Sequence, residues 1–343
     1  MVQKILTPVD GSENANTALE VAADLAAGMG AQLKILHVGL RQAGPRQSLL
    51  EAAEYSFDKA ERKGGWTSDH HNWPRRLQVL EHMGRMILDN AETCARDRGA
   101  AEIETELDWG EEGERILHHA KHPFTDMIVM GSRGAGPLQG VLMGSVSHKV
   151  FHLAPCTCVT VHAGKERLGL GTVERILVPF DGSGHAVKAA ELACDMAAKF
   201  SATVKFVHVL LHGQTPELLL GVVDKDRLDA ETLDALENVR AVGGLAMGEA
   251  YAVQLIPDAV LKDIGAEVLE RAQKIASDKG LSKIETALLD GQPAHSILEA
   301  AEKDRADLIV MGMRGLAEVE GLLVGSVSYK VNHLAPCTCI AVR

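Results

Sequence analysis

Short apolar runs and helix-spaced apolar positions alternate along the chain. Ile5 to Val9 is a compact apolar run of the kind that forms a buried strand. Asp10-Gly11-Ser12 follows with turn and helix-capping chemistry, and Ala18, Leu19, Ala22, Leu25 and Ala26 then keep helical spacing. The same reading predicts strands over 31–38, 103–109, 126–130 and 156–162. It predicts helices over 77–98, 111–121 (with Ile116 and Leu117 inward) and 144–153. Strand and helix alternate throughout, which is the signature of a parallel sheet covered on both faces. With right-handed crossovers the expected fold is a doubly wound α/β unit.

The pattern occurs twice. Lys4-Ile5-Leu6-Thr7-Pro8-Val9-Asp10-Gly11-Ser12 returns as Arg175-Ile176-Leu177-Val178-Pro179-Phe180-Asp181-Gly182-Ser183, and His37-Val38 returns as His208-Val209; from position 10 to position 181 the offset is 171. Met130-Gly131 returns as Met311-Gly312, and His152-Leu153-Ala154-Pro155-Cys156-Thr157-Cys158 returns at His333 to Cys339, with an offset of 181 (131 to 312). The second copy has therefore gained ten residues between its second and third strands. A period this long marks two whole domains rather than a solenoid. The expected organisation is a domain over 1–163, a Gly- and charge-rich linker over 164–172 and a second domain over 173–343.

Each fourth strand runs into a glycine loop. Gly131-Ser132-Arg133-Gly134 is followed by nine residues and Gly144-Ser145-Val146-Ser147; Gly312-Met313-Arg314-Gly315 is followed by nine and Gly325-Ser326-Val327-Ser328. Glycine at a strand end lets the backbone turn tightly and approach a ligand. Gly-Ser opening a helix offers free N–H groups at the positive end of the helix dipole, a seat for phosphate. The bland alternative is a glycine turn followed by an ordinary Ser cap. Arg133 and Arg314 read equally as phosphate partners or as solvated loop arginines, and Asp10 and Asp181 as ligand carboxylates or turn residues. There is no G-x-x-x-x-G-K-[ST] loop, no third Rossmann glycine (Gln139 stands there) and no G-x-S-x-G elbow.

These residues together resemble the universal stress protein family: the two glycine loops, the Pro-x-Asp-Gly-Ser first-strand end, the His-Val second-strand end and the Ala-Pro-Cys last strand. The resemblance covers nearly the whole chain as two tandem domains; residues 41–98 and 211–278 match least. It implies two tandem doubly wound, Rossmann-like α/β domains, each with a mainly parallel five-stranded sheet. It also implies the family's ATP-binding branch, with ATP, ADP or AMP as ligand and Mg as an optional companion of the phosphates. Carried over by position, Pro8, Val9 and Asp10 would line the ribose and adenine, as would Pro179, Phe180 and Asp181. The Val38 and Val209 main chains would meet adenine. Met130, Gly131, Arg133, Gly134, Gly144, Ser145, Val146 and Ser147 would hold ribose and phosphates in the first copy. Met311, Gly312, Arg314, Gly315, Gly325, Ser326, Val327 and Ser328 would do so in the second. The family further implies pairing of two such domains, here within one chain through the two final strands, with a homodimer as a further state.

Composition narrows the partners. The chain has 343 residues and a formal charge of −12, so most of its surface repels nucleic acid and acidic lipid. Aromatics supply 3%, which leaves the core to Ala, Val, Leu and Ile. No run of about 18 apolar residues and no secretory leader is legible, and the six cysteines are too sparse for a secreted framework. The expectation is a cytoplasmic protein with no membrane and no nucleic-acid partner.

The weaker signals read as structure. Cys156 and Cys158, like Cys337 and Cys339, read as small core residues rather than metal ligands. Cys94 and Cys194 read as packing. His70-His71 and His118-His119 with His122 read as surface clusters, and residues 64–74 as a lid or partner loop. Val223 to Val239 reads as one amphipathic helix.

With no general base, Walker lysine or complete metal pattern, the expected function is a stress-response protein that binds adenine nucleotide and regulates, with slow ATP hydrolysis as the upper limit. Two alternatives stand beside it: a phosphoanhydride enzyme of the adenine-nucleotide α/β group, and a chaperone-like module with relic sites. Glu318 and Glu320 place acid in the second loop only, so tighter binding is expected in the first half.

Overall fold

The computed structural model of the chain describes residues 2–39, 57, 74–121, 124–134, 143–162, 173–243, 256–316 and 324–343. The expected linker, residues 64–73, His122 and the acidic pair Glu318 and Glu320 lie outside the described residues. The chain divides into two compact units, Met1–Gly169 and Leu170–Arg343.

In the first unit the elements run β1 (Lys4–Pro8), α1 (Glu13–Met29), β2 (Gln32–Gly39), α2 (Arg75–Asp97), β3 (Ile103–Trp109), α3 (Glu112–Lys121), β4 (Met127–Gly131), α4 (Ser145–Leu153) and β5 (Thr157–Val161). The strands are all parallel, in the order β3-β2-β1-β4-β5. Ile5 pairs with Leu33 on one side and Met127 on the other, which centres the sheet on β1. Ile5, Leu6, Leu33, Ile35, Met127 and Ile128 are wholly buried, as both-face coverage of a parallel sheet requires. The buried polar residue of β1, Thr7, is satisfied by donating from Oγ1 to the Val129 carbonyl at 3.0 Å. Helix α1 buries Ala15, Ala18, Leu19, Ala22, Leu25 and Ala26; its small side chains fill the core that so few aromatics leave open. Ser12 caps its start, accepting from the Ala15 N–H at 3.2 Å, and Gly30 ends it at φ +66°.

The second unit repeats the plan: β6 (Arg175–Pro179), α5 (Gly184–Phe200), β7 (Thr203–Val209), α6 (Pro216–Gly221), α7 (Ala230–Gly243), α8 (Asp258–Asp278), β8 (Ile284–Leu289), α9 (Pro293–Lys303), β9 (Leu308–Gly312), α10 (Ser326–Leu334) and β10 (Thr338–Val342). Its five parallel strands are ordered β8-β7-β6-β9-β10. Both units pin their first strand in the same way. Asp126 Oδ2 accepts from the Gln3 and Lys4 N–H groups at 2.8 and 2.9 Å, and Asp307 Oδ2 accepts from Glu174 and Arg175 at the same distances.

One expected element differs. The single helix over 223–239 is replaced by a 3-10 turn at Lys225–Arg227 and by α7, which begins only at Ala230. The aspartates break it. Asp224 accepts from the Asp226 N–H at 3.2 Å and Asp229 from the Thr232 N–H at 2.6 Å, local bonds that compete with helix continuation and start a new one.

Candidate functional site

In each sheet the chain leaves the central strand in one direction and returns on its other side. Between β1 and β4, and again between β6 and β9, the following loops part, which makes a crevice at the strands' carboxyl ends. The expected residues converge there. After β1, Val9 is buried and donates its N–H to the Leu36 carbonyl at 2.8 Å, which brings the ends of β1 and β2, and so Val38, together. Gly11 turns the chain at φ +78° and the exposed Asp10 closes the turn by accepting from the Ser12 N–H at 3.0 Å.

After β4 the loop folds onto this turn. A Cβ at Gly131 would stand 2.9 Å from the Asn14 carbonyl oxygen in the first turn of α1, and a Cβ at Gly134 only 2.7 Å from Asp10 Oδ2. At Gly131 the close approach is to main chain and requires glycine; at Gly134 it is to the tip of the Asp10 side chain. Ser132 donates its N–H to the Val161 carbonyl at 2.8 Å and accepts from the Gly144 N–H at 2.7 Å, so the loop leaves and returns through one fixed point.

That return opens α4 without a cap. Its N-cap residue is Gly144, and no side chain among the described residues takes up the first-turn amides. Ser145 is the first helical residue, which removes the Ser-cap alternative. The Ser147 hydroxyl points backward, donating to the Gly131 carbonyl at 2.8 Å, so it braces the loop and leaves only its main-chain N–H facing forward. Helix α10 starts in the same way at Gly325, with the Ser328 hydroxyl against the Met313 and Gly325 carbonyl oxygens at 2.6 and 2.9 Å. In the second unit Asp181 accepts from the Ser183 N–H at 3.0 Å and from the Leu316 N–H at 3.1 Å, and a Gly315 Cβ would lie 2.5 Å from its Oδ2. Gly312 presses on His185 of α5 as Gly131 does on Asn14. Arg133 is exposed and Arg314 half-buried, both on the loops.

Two residues of this crevice carried no chemical reading in the sequence. His37 Nδ1 donates to the Val9 carbonyl at 2.7 Å and His208 Nδ1 to the Phe180 carbonyl at 2.9 Å, each immediately before the turn aspartate. Burial pushes both imidazoles below the usual histidine range, outweighing those bonds and nearby acid. The signal was their recurrence beside Val38 and Val209.

Elsewhere, the surface reading of His118-His119 needs correction. His119 is buried, with Nε2 2.8 Å from Asp108 Oδ2 and Nδ1 3.6 Å from Glu106, and Arg115 shares the Asp108 carboxylate. All six cysteines are free thiols; five are buried and Cys94 is half-buried. Among the described residues, no group of three or more His, Cys, Asp or Glu is placed to hold a metal ion, and no helix is long and apolar enough to cross a membrane.

Compared with known proteins, residues 1–162 and 172–343 each match the Universal stress protein family. Universal stress protein YxiE of Bacillus subtilis is 37% identical over 161 residues, spanning 47% of this chain and 99% of its own. The crystal structure of a universal stress protein from Archaeoglobus fulgidus aligns with a TM-score of 0.60 at 20% identity, covering 99% of this chain and 96% of that one; the likeness is one of fold. A universal stress protein solved in complex with cAMP covers 50% of this chain and 97% of its own at 23% identity and a TM-score of 0.32.

Proposed function

This chain belongs to the universal stress protein family, and from that premise we propose that each of its halves binds an adenine nucleotide, ATP foremost, and acts through occupancy rather than turnover. The observation that carries the reading is the uncapped start of α4 and of α10, opening on a glycine loop at the mouth of the sheet crevice. First-turn amides without an intrahelical acceptor, at the positive end of the dipole, suit phosphate. In this reading the N–H groups of Ser145, Val146 and Ser147 take phosphate oxygens, as do those of Ser326, Val327 and Ser328. Asp10 and Asp181 accept from ribose hydroxyls, and the Val38 and Val209 main chains meet the base. Arg133 and Arg314 supply countercharge from the loops, with Mg as a companion of the phosphates. Binding that favours one loop arrangement would present a partner with an altered surface. Six free thiols fit a reducing compartment, so the proposed setting is the cytoplasm.

The test begins with freshly purified protein, denatured and cleared, and mass analysis of what is released. Titration of the emptied protein with ATP, ADP and AMP follows. Released or rebound adenine nucleotide supports the reading. Protein that carries none and ignores all three overturns it.

A further inference from the structure

The two histidines at the crevice occupy one arrangement twice. Each ring lies between the carbonyl that precedes a turn aspartate and a glycine of the helix crossing beneath. A Cβ at Gly84 of α2 would fall 3.0 Å from His37 Cδ2 and 2.7 Å from Leu107 Cδ1. A Cβ at Gly265 of α8 would fall 3.0 Å from His208 Cδ2, 3.6 Å from its Nε2 and 2.6 Å from Leu288 Cδ2. Glycine on the helix is what admits the ring. Because Nδ1 faces a carbonyl it carries the proton, and Nε2 is left as a lone pair. In the second unit that Nε2 is buried with no hydrogen-bond partner among the described residues, and His208 is 1% exposed. A second proton would therefore place a charge against Gly265 and Leu288, with no acceptor for it among the described residues.

We infer that His37 and His208 are positioning residues that hold the two Asp-Gly-Ser turns in place while neutral and loosen them on acidification. The inference rests on the nucleotide reading for its binding consequence, not for the loop itself. The charged groups around His37 are Asp10 in its own turn and Glu112 at the start of α3; around His208 it is Asp181. The faces from α2 with β3, and from α8 with β8, are Gly84 with Leu107 and Gly265 with Leu288, all uncharged. Burial outweighs the attraction of those acids and both proton affinities fall below the free value of 6.5. The cost of protonation is thus absent at neutral pH and grows as the pH drops.

Two double variants test this. His37→Asn with His208→Asn keeps a donor for the carbonyl and removes the titration; His37→Leu with His208→Leu removes both. ATP affinity is measured at about pH 7.5 and about pH 5.5, a span that brackets the free imidazole. The wild type should lose about tenfold more affinity on acidification than the Asn variant, which should bind within about threefold of it at the higher pH. The Leu variant, folded by circular dichroism, should bind weakly at both. Hydrogen exchange gives a readout without nucleotide. After correction for intrinsic rates, the amides of Gly11, Ser12, Gly182 and Ser183 should lose protection at the lower pH in the wild type but not in the Asn variant. Identical pH profiles for wild type and Asn variant, or unchanged protection, overturn the inference. A wild type that binds no nucleotide at either pH refutes the nucleotide reading alone, and exchange then decides the histidines' role.

Discussion

Replacing Gly134 by Ala tests the binding role proposed for its loop separately from folding. The new Cβ would stand 2.7 Å from Asp10 Oδ2, roughly 0.8 Å inside the lower end of the optimal range for nonbonded contacts, about 3.5 Å. Gly134 has no positive φ, so the backbone accepts Ala without strain. The obstacle is one oxygen of an exposed carboxylate, which can rotate away. Rotation disturbs the exposed Asp10 bond to the Ser12 N–H, worth about 0.5–1.5 kcal/mol. A ribose hydroxyl bonded to that carboxylate would lose about 1.5–3 kcal/mol, or about ten- to a hundredfold in affinity. Gly131→Ala is the contrasting case. Its Cβ meets the Asn14 and Arg133 carbonyl oxygens at 2.9 and 3.0 Å, both main chain, so the strand end must shift at about 1–3 kcal/mol of stability. Calorimetric titration with ATP, beside thermal unfolding, should show Gly134→Ala near the wild type in melting temperature with one site weakened; Gly315→Ala should weaken the other site and cost more stability, because its Cβ meets a half-buried Asp181 oxygen held by the Leu316 N–H. A double variant that binds ATP as the wild type does would refute the placement of Asp10 and Asp181 in the site.

Ser12→Ala and Ser183→Ala should each cost about 1 kcal/mol in thermal unfolding, because each hydroxyl caps a long helix. Ser145→Ala and Ser326→Ala, where no cap exists, should stay within about 0.5 kcal/mol. Burial pushes the Asp108 carboxyl up, but hydrogen bonds from His119, the Trp109 N–H and Arg115 hold it below the usual carboxylate range. Its contribution is therefore present above an unfolded value of about 3.9 and is lost as the pH falls through the folded one. The stability gap between wild type and Asp108→Asn should close on acidification, and a constant gap would contradict the assignment. The Cys194 thiol, buried and pushed up to about 11, should resist alkylation at neutral pH until the chain unfolds; fast labelling of the native protein at that position would count against its packing.

Local chemistry was legible where one segment carried it. Ile103 to Trp109 alternates over seven residues and is a strand over that range, and the apolar runs at 5–8 and 127–130, short for helices, are buried strands. The glycine loops could be read because strand, turn and helix start are contiguous. Contacts between distant segments were not readable. His119 looked like a surface residue because its partners, Asp108 and Glu106, lie across a helix–strand packing. The duplication sharpened some of this: the His recurs at an offset of 171 (37 to 208) and the Gly packed on it at 181 (84 to 265), either side of the ten-residue insertion. It could not reveal Asp108 and His119, because the second copy has Leu289 and Ala300 in their places. The helix misread over 223–239 has the same origin: apolar spacing was intact, while the aspartates' bonds to nearby N–H groups decided the outcome.

The strongest argument that the α4 start is kept open for a ligand comes from Gly144 itself. Nothing local demands glycine there. Its φ and ψ are −73° and 158°, nearly those of Ser12 at −75° and 157°, which does cap its helix. The nearest atoms to an added Cβ are 3.6–3.7 Å away, ordinary contacts. A serine would fit, its hydroxyl would reach the first-turn amides, and the helix would gain a few tenths of a kcal/mol relative to glycine. Gly144→Ser should therefore leave melting temperature unchanged or slightly raised while filling the anion seat from within. First-site ATP affinity should fall at least about tenfold, the loss of one charge-assisted bond. If Gly144→Ser is as stable as the wild type and binds ATP equally well, the open amides are not where phosphate sits. The same substitution at Gly325 is the internal repeat of the experiment. There the Ser328 hydroxyl lies 3.3 Å from the added Cβ, so a small adjustment of that side chain accompanies the same expected loss.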